Sequence, residues 1–216
     1  MERMNQVRTV SVYAVHIDLV RGTDLALFRE RMPERAEKAG RFYREEDRLR
    51  CIGAGLLMMK AVGIRKESEL RYGPYGKPFA PGYPGFNLSH SGPWCVLAMG
   101  EGDIGVDIEA PDEAHLCVAP MVYTPEEQAW MRERPLERFY MLWTWKESVM
   151  KAMGLGMQLE PGSFDVLSFI RNEPIALRGK RWYMKSGEMG GLRYSVCAAY
   201  PFDLVFYDLT EIDLRF

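Results

Sequence analysis

The segment FYMLWTWKESVMKAMGLG, residues 139–156, constrains the fold of this chain more than any other. Its large apolar residues recur at the spacing of a helix that buries one face. The residues predicted for that face are Met141, Leu142, Trp145 and Val149. On another face, Glu147 and Lys151 are four residues apart, where helical side chains meet. They form either an ordinary ion pair on a solvated stripe or a carboxylate and an ammonium delivered into a cleft.

The composition argues against several classes of function. A net charge of -2 provides no basic field for nucleic acid. No apolar run approaches the length of a membrane span, and the N-terminus lacks the apolar core of a signal peptide. The four cysteines form no CxxC pair, which favours reduced thiols over a metal-thiolate or redox site. We therefore expect a cytoplasmic protein that binds neither nucleic acid nor a membrane.

The order of the predicted elements indicates an α+β protein. Helices are predicted in at least two pieces over 25–63, again after a restart beyond residue 110, and through 139–156. Strands are predicted at 9–18, 94–100, 104–110, 164–169, 180–186, 192–200 and 203–209. The Gly- and Pro-rich segment 71–86 is typical of an ordered loop, and Thr124 followed by Pro125 is a good helix start.

The length of 216 residues fits one large domain or two small ones. Each half of the chain combines helices with a short predicted antiparallel sheet. The composition changes near Ala110 and Pro111, which makes this region a plausible boundary between the halves.

Two carboxylates in the segment GVDIE are the first candidates for chemistry. Asp107 and Glu109 point to the same face of a strand, because strand side chains alternate. For an isolated pair of this kind, a simply solvated face is the commoner explanation. Acids at a strand end that faces a cleft would instead suit a hard divalent cation, and Glu147 could complete the site. Such a site would leave coordination positions for phosphate oxygens and water, as magnesium usually has.

Candidate phosphate contacts lie before this strand. Lys77 sits in a stiff Gly/Pro frame, and Ser89 and His90 can donate hydrogen bonds to phosphate. The alternative is a turn with a capping serine and a packing histidine. The basic residues nearer the N-terminus are Arg35, Lys38, Arg41, Arg44, Arg48 and Arg50. Acids are interspersed among them, so a solvated helix face is the default interpretation.

The segments YGKP, FNLSHSG, IGVDIE and FYMLWTWKESVMKAMGLG occur together in an order and spacing that resemble the Sfp-type (surfactin synthetase-activating type) 4'-phosphopantetheinyl transferases. The resemblance spans about residues 30 to 165, and its motifs are specific as a set. It implies two similar α+β halves related by a pseudo-twofold axis, each a small antiparallel sheet packed with helices. We place these halves at 1–105 and 106–216, with the active-site cleft between them.

The family implies an activity and roles for the candidate residues. It transfers the phosphopantetheine arm of coenzyme A to a serine of an apo acyl or peptidyl carrier protein and releases 3',5'-ADP. By resemblance, Mg²⁺, or alternatively Mn²⁺, is held by Asp107, Glu109 and Glu147. Coenzyme A is contacted through its phosphates by Lys77, Ser89, His90 and Lys151, beside Asp107, and at its 3'-phosphate and adenine end by Arg35, Lys38 and Arg50. We expect a monomer.

The resemblance also implies a mechanism. Glu147 is the candidate general base, directly or through a metal-bound water, and Lys151 stabilises charge on the phosphates. Three positions depart from the family pattern without touching the metal set. They are Cys51, where a hydroxyl residue is frequent, Arg35, where lysine is common, and Ser148, where alanine is frequent.

Two other functions use the same residues. A magnesium-dependent pyrophosphatase or nuclease would need the carboxylates but no carrier protein. A catalytically dead module would bind coenzyme A or a carrier without chemistry, and the intact acidic set argues against it. The apolar segment 115–123 either completes the core or exposes Met121 as part of a docking surface for the carrier.

Overall fold

The computed structural model describes residues 8–210 and 212–214, and in this part of the chain two four-stranded sheets pack together with helices around them. The strands are β1 (Arg8–His16), β2 (Arg71–Tyr72), β3 (Pro78–Phe79), β4 (Gly85–Ser91), β5 (Trp94–Gly100), β6 (Ile104–Glu109), β7 (Ile175–Leu177), β8 (Lys180–Met189), β9 (Leu192–Ala198) and β10 (Phe202–Asp208). The predicted α+β class is confirmed.

The helices are α1 (Ile17–Gly22), α2 (Ala26–Arg31), α3 (Pro33–Gly40), α4 (Glu45–Leu57), α5 (Ala119–Val122), α6 (Pro125–Met131) and α7 (Pro135–Met153). Helix α4 continues into a π-helical turn, Met58–Val62. Short 3₁₀ turns lie at Glu67–Glu69, Glu113–Val118, Gly156–Gln158, Pro161–Ser163, Leu167–Arg171 and Ile212–Leu214. Within these described residues no helix is both long and apolar enough to cross a bilayer.

The first sheet has the strand order β10-β1-β5-β4, and the second has the order β6-β9-β8-β7. Every pairing is antiparallel except that of β1 with β10, where Val12 lies opposite Phe206 in a parallel register. The predicted small antiparallel sheets are therefore confirmed, apart from this one parallel pair in the first sheet. This pair is parallel because β10 returns to the edge of the first sheet, beside β1, instead of extending the second sheet.

The predicted boundary between residues 105 and 106 falls inside β6, so it does not coincide with a loop. The division into two halves otherwise stays a prediction. Buried side chains from β1, β5, β6, β9 and β10 form one core between the two sheets. Separate cores lie under α4 in the first half and under α7 in the second half.

Local signals in the sequence explain the helices that carry the candidate site. Thr124 and Glu127 form a reciprocal capping box at the start of α6, as predicted for Thr124 and Pro125. Helix α7 begins with Pro135 in its first turn and stops at Gly154, whose φ of 71° is in the left-handed region that glycine tolerates. Because both ends are fixed by sequence, the position of Glu147 along the helix is fixed as well.

A glycine lets α7 approach β6 closely. A Cβ atom added to Gly105 would lie 2.0 Å from the carbonyl oxygen of Ser148, so any larger residue would push the helix away. This contact brings the charged side of α7 against the strand that carries Asp107 and Glu109. The strand predicted at 164–169 is wrong: Asp165 accepts a hydrogen bond from the amide of Leu167, and a 3₁₀ turn follows.

Candidate active site

A cleft of about 760 Å³ is lined by residues of α3, α4, β4, β6 and α7. Helices α3 and α4 line one side, β4 and β6 form its floor, and α7 closes the other side. The charged and histidine residues that line it are Glu34, Arg35, Lys38, Asp47, Arg50, Glu67, His90, Asp107, Glu109, Glu147 and Lys151. Every predicted site residue except Lys77 therefore lines this one cleft, including the uncharged Ser89.

Asp107 is the most buried carboxylate of the cleft, with 2% of its surface exposed. Its Oδ1 atom accepts hydrogen bonds from Ser89 Oγ at 2.9 Å and from Lys151 Nζ at 2.6 Å. Its Oδ2 atom is buried and has no hydrogen-bond partner in the structure. A buried carboxylate oxygen without a partner is costly, so this atom is available to a ligand that enters the cleft.

Glu109 lies two residues further along β6 and accepts a hydrogen bond from Ser91 Oγ at 3.0 Å. Burial, followed by the negative charge of Asp107, raises the pKa of Glu109 to about 7. Hydrogen bonds from Ser91 and Trp143 and the charge of Lys151 oppose that rise. Trp143, which also lines the cleft, was missed in the sequence because a tryptophan on an apolar helix resembles an ordinary core residue.

Glu147 and Lys151 project from α7 into the cleft, so the helix delivers a carboxylate and an ammonium there. Burial is the main cause that raises the pKa of Glu147, which Lys151 opposes and Asp107 reinforces. Burial alone would lower the pKa of Lys151, but the carboxylates of Asp107, Glu147 and Glu109 outweigh it and raise that pKa. The side chain of Lys151 is therefore a protonated ammonium that lies among carboxylates.

At its opposite end the cleft carries three basic side chains, Arg35, Lys38 and Arg50, beside the acidic Glu34, Asp47 and Glu67, and we call it the basic end. Arg50 donates to the carbonyl oxygen of Gly92 at 2.5 Å and to Asp47 Oδ1 at 2.6 Å, which fixes its guanidinium at the cleft wall. The hydrogen bond from Arg50 lowers the pKa of Asp47. The Nε atom of Arg35 is buried without a hydrogen-bond partner, and Lys38 is exposed on the same helix. This end can accept anionic groups of a ligand.

Two of the departures from the family pattern have clear surroundings. Cys51 is a buried lining residue whose thiol faces the carbonyl oxygen of Arg35 at 3.9 Å. Ser148 points away from the cleft and donates to the carbonyl oxygen of Ser195 at 2.9 Å.

Lys77 does not point into the cleft. Its Nζ atom donates to the carbonyl oxygens of Ile104 at 2.8 Å and Ala152 at 2.9 Å, and burial lowers its pKa to about 8. The expected contact between the Lys77 ammonium and a phosphate of coenzyme A is therefore not supported. The side chain instead joins the loop before β3 to the start of β6 and the end of α7.

The side chain of Lys146, the residue before Glu147, lies in the protein interior. Its ammonium is fully buried, contacts Glu127 Oε2 at 2.8 Å, and donates to the carbonyl oxygens of Pro161 at 2.8 Å and Phe164 at 2.5 Å. No functional role was predicted for Lys146. Its position one residue before Glu147 places it about 100° away around the helix, and that was the available signal for a different role.

The donor set fits a hard divalent cation in its chemistry. Carboxylate oxygens are the ligands that Mg²⁺ prefers, and Asp107 Oδ2, which has no hydrogen-bond partner, can coordinate a cation. Across the described ranges 8–210 and 212–214, no three Asp, Glu, His or Cys side chains are close enough to form a complete site by themselves. Further ligand oxygens are needed, as magnesium sites that bind phosphates generally require.

Comparisons with known proteins agree with the resemblance. Residues 103–197 match the family described as the 4'-phosphopantetheinyl transferase superfamily. The 4'-phosphopantetheinyl transferase Sfp of Bacillus subtilis (strain 168) is 33% identical over 184 residues, covering 78% of this chain and 82% of the relative. A second 4'-phosphopantetheinyl transferase of Bacillus subtilis is 34% identical over 171 residues, covering 73% and 76%.

A relative from another bacterium gives a similar match. The 4'-phosphopantetheinyl transferase AcpT of Salmonella typhi is 33% identical over 152 residues, which cover 66% of this chain and 73% of the relative. The predicted family is confirmed by this identity over most of the chain: the protein belongs to the 4'-phosphopantetheinyl transferase superfamily and is similar to its Sfp-type members.

Proposed function

We propose that this enzyme transfers the 4'-phosphopantetheine group of coenzyme A to a serine hydroxyl of an apo acyl or peptidyl carrier protein, with Mg²⁺ or Mn²⁺, and releases 3',5'-ADP. One observation carries the proposal: a single cleft joins a basic end to a carboxylate end that contains a buried, unpartnered oxygen on Asp107. A polyanionic substrate with a pyrophosphate needs both a cationic pocket and a cation-binding set.

The basic end suits the nucleotide part of coenzyme A. Arg50 is held in place by Asp47 and the backbone, so a phosphate there meets a fixed guanidinium. Arg35 offers a buried Nε donor with no partner in the structure, and Lys38 adds a mobile charge at the rim. We assign the 3'-phosphate and adenine to this end. The pyrophosphate then extends past Ser89 and His90 toward Lys151.

Asp107, Glu109 and Glu147 would hold the divalent cation. When bound, it would neutralise charge on the pyrophosphate and stabilise the departing 3',5'-ADP as a Lewis acid. Lys151 already contacts Asp107 and carries a firm positive charge, so it can neutralise a phosphate oxygen at the same place.

Glu147 is the residue that we assign as general base. A serine hydroxyl must lose its proton while its oxygen attacks the phosphorus that carries the pantetheine arm, and the bond from that phosphorus to 3',5'-ADP breaks. Glu147 projects from α7 into the cleft beside Asp107 and Lys151, where its carboxylate can accept that proton. The proton of the serine hydroxyl thus passes to Glu147.

The carrier protein is expected to dock beside this end of the cleft, on the segment 115–123. The prediction that Met121 is exposed is confirmed, because 73% of its surface is accessible. Val122 is buried, and Leu116 and Val118 pack partly against a core cluster, so Met121 is the largest exposed apolar side chain of the segment and its neighbour Pro120 is exposed as well.

The decisive experiment incubates the enzyme with coenzyme A, Mg²⁺ and a panel of apo carriers, and weighs each carrier by mass spectrometry. We expect the gain of one phosphopantetheine group, loss of that gain with a chelator, and its loss when the carrier serine is changed to alanine. Phosphate release from simple substrates without a carrier would favour a pyrophosphatase or nuclease instead. Tight coenzyme A binding without modification of any carrier would favour a binding module.

A further inference from the structure

Strands β4 and β6 belong to different sheets, yet side chains join them side by side. Asn87, Ser89 and Ser91 alternate along β4, so they share one face of that strand. Their contacts with β6 are Asn87 Oδ1 with the amide of Val106 at 2.9 Å, Ser89 Oγ with Asp107 Oδ1 at 2.9 Å, and Ser91 Oγ with Glu109 Oε2 at 3.0 Å. The first sheet thus sets the position of both β6 carboxylates.

Ser91 is the most constrained member of this polar ladder (Asn87, Ser89 and Ser91). Its hydroxyl donates to Glu109 Oε2 and at the same time accepts from the amide of Ala110 at 3.0 Å. Because the amide of Ala110 occupies an acceptor site of the hydroxyl, the proton of Ser91 is directed at Glu109. The serine therefore fixes the carboxylate relative to the backbone that immediately follows it.

Ser91 differs from Ser89 in a way that makes its role separable. Ser89 lines the cleft and also contacts Lys151 Nζ at 3.1 Å, so its loss would disturb several groups at once. Ser91 is not among the residues that line the cleft. A change at Ser91 therefore removes support for Glu109 without removing a group that touches the substrate.

We propose that Ser91 is a positioning residue that holds Glu109 in the orientation needed to bind the divalent cation. This inference rests on the proposed function, because it concerns the cation of that same site. Groups that orient metal ligands commonly change metal affinity by about 10- to 100-fold when they are removed.

The test compares S91A, S91T and the control S186A with the wild-type enzyme. Ser186 lies on β8, where its hydroxyl accepts from Trp145 Nε1 at 2.8 Å and contacts Ser195 Oγ at 3.0 Å. Strand β9 separates it from β6 in the sheet order. Alanine is smaller than serine, so neither replacement introduces a clash. Two measurements are made: Mn²⁺ binding to enzyme with coenzyme A, by the electron paramagnetic resonance of free Mn²⁺, and the Mg²⁺ concentration that half-saturates transfer.

We expect S91A to weaken Mn²⁺ binding and to raise the half-saturating Mg²⁺ concentration by about ten-fold. The KM for coenzyme A at saturating Mg²⁺ should stay near that of the wild type, and S91T should restore metal binding because it keeps the hydroxyl. S186A should leave metal binding unchanged even if it lowers the melting temperature.

Unchanged Mn²⁺ binding in S91A would overturn the inference, and so would an equal loss of binding in S186A. These outcomes are distinct from failure of the proposed function, which would appear as wild-type enzyme that modifies no carrier. The Mn²⁺ titration needs no carrier, so it decides the role of Ser91 in either case.

Discussion

Helix α7 carries two lysines that each pair with a buried carboxylate, and the two pairs differ in how completely they are satisfied. Lys146 contacts Glu127 and two carbonyl oxygens, while Glu127 accepts additional hydrogen bonds from the amides of Thr124 and Val166. Lys151 contacts Asp107, but one oxygen of Asp107 remains without a partner. The first pair is closed and connects structural elements, whereas the second leaves an acceptor for a ligand.

The largest expected effect comes from Glu147→Gln, a change on the face of α7 that lines the cleft. Gln keeps the shape but cannot accept a proton, so we expect carrier modification to fall by about 10²- to 10⁴-fold. The fold should survive, because burial already disfavours the ionised form of Glu147. Mass spectrometry of the carrier and thermal unfolding measure the two effects.

Glu137→Gln is the matched control for this change. Glu137 lies in the first turn of the same helix and pairs with Arg134 at the surface. The control should retain full activity. Near wild-type turnover of Glu147→Gln, with normal magnesium dependence, would remove Glu147 from the catalytic assignment.

The next largest effect should come from Lys146→Met, which removes the cation from the buried pair of Lys146 and Glu127. Removing one partner leaves Glu127 as a buried uncompensated charge, which should cost about 3–5 kcal/mol of unfolding free energy. For a chain of this size that corresponds to a melting temperature lower by about 6–20 °C. The KM for coenzyme A of the remaining folded protein should change little. Urea unfolding and steady-state kinetics at low temperature provide the measurements.

The double variant Lys146→Met with Glu127→Gln sharpens the comparison. Gln removes the stranded charge but keeps only one of the two oxygens that accept from the amides of Thr124 and Val166, so it should recover part of the lost stability. A double variant no more stable than Lys146→Met would show that the unpaired carboxylate is not the main source of the cost.

A smaller effect is expected at the basic end of the cleft. Lys38→Ala should raise the KM for coenzyme A by about three- to ten-fold, since one exposed charge contact with the 3'-phosphate is lost. The KM for dephospho-coenzyme A, which lacks that phosphate, should change less. Arg41→Ala is the control, because Arg41 pairs with Glu37 on the outer surface. Equal effects of Lys38→Ala on both substrates would place Lys38 on a merely solvated face.

The smallest effect is expected on the docking surface. Met121→Asp should raise the KM for the carrier by about three- to ten-fold, because it replaces an apolar side chain of the proposed docking surface with a charge. The KM for coenzyme A and the melting temperature should remain unchanged. Met157→Asp is a control at a methionine with a similar exposed fraction, 63%. If carrier kinetics are unaffected by Met121→Asp, the carrier docks elsewhere.

Local rules in the sequence predicted much of the site. Alternation placed Asp107 and Glu109 on one strand face, and helical spacing placed Glu147 and Lys151 together. Neither rule could show that the strand and the helix meet, because that contact depends on the close approach at Gly105. The family resemblance supplied the long-range information that spacing lacks.

Two places where the structure departs from expectation have the same origin. The direction of the Lys77 side chain is set by carbonyl oxygens of Ile104 and Ala152, which are far away along the chain. Residues 164–169 have strand-like composition, but the chain there turns to bring the carbonyl of Phe164 to Lys146. Tertiary partners decided both outcomes, and sequence periodicity contains no information about them.

The parallel pairing of β1 with β10 has a consequence for how the protein is made. Arg8 lies opposite Phe202, so one of the first strands to leave the ribosome must wait for one of the last before its sheet is complete. Until then the edge of β1 offers unpaired backbone groups to other chains. Such distant pairing raises contact order and slows folding. Because hydrophobic association weakens on cooling, expression at low temperature should increase the yield of folded enzyme.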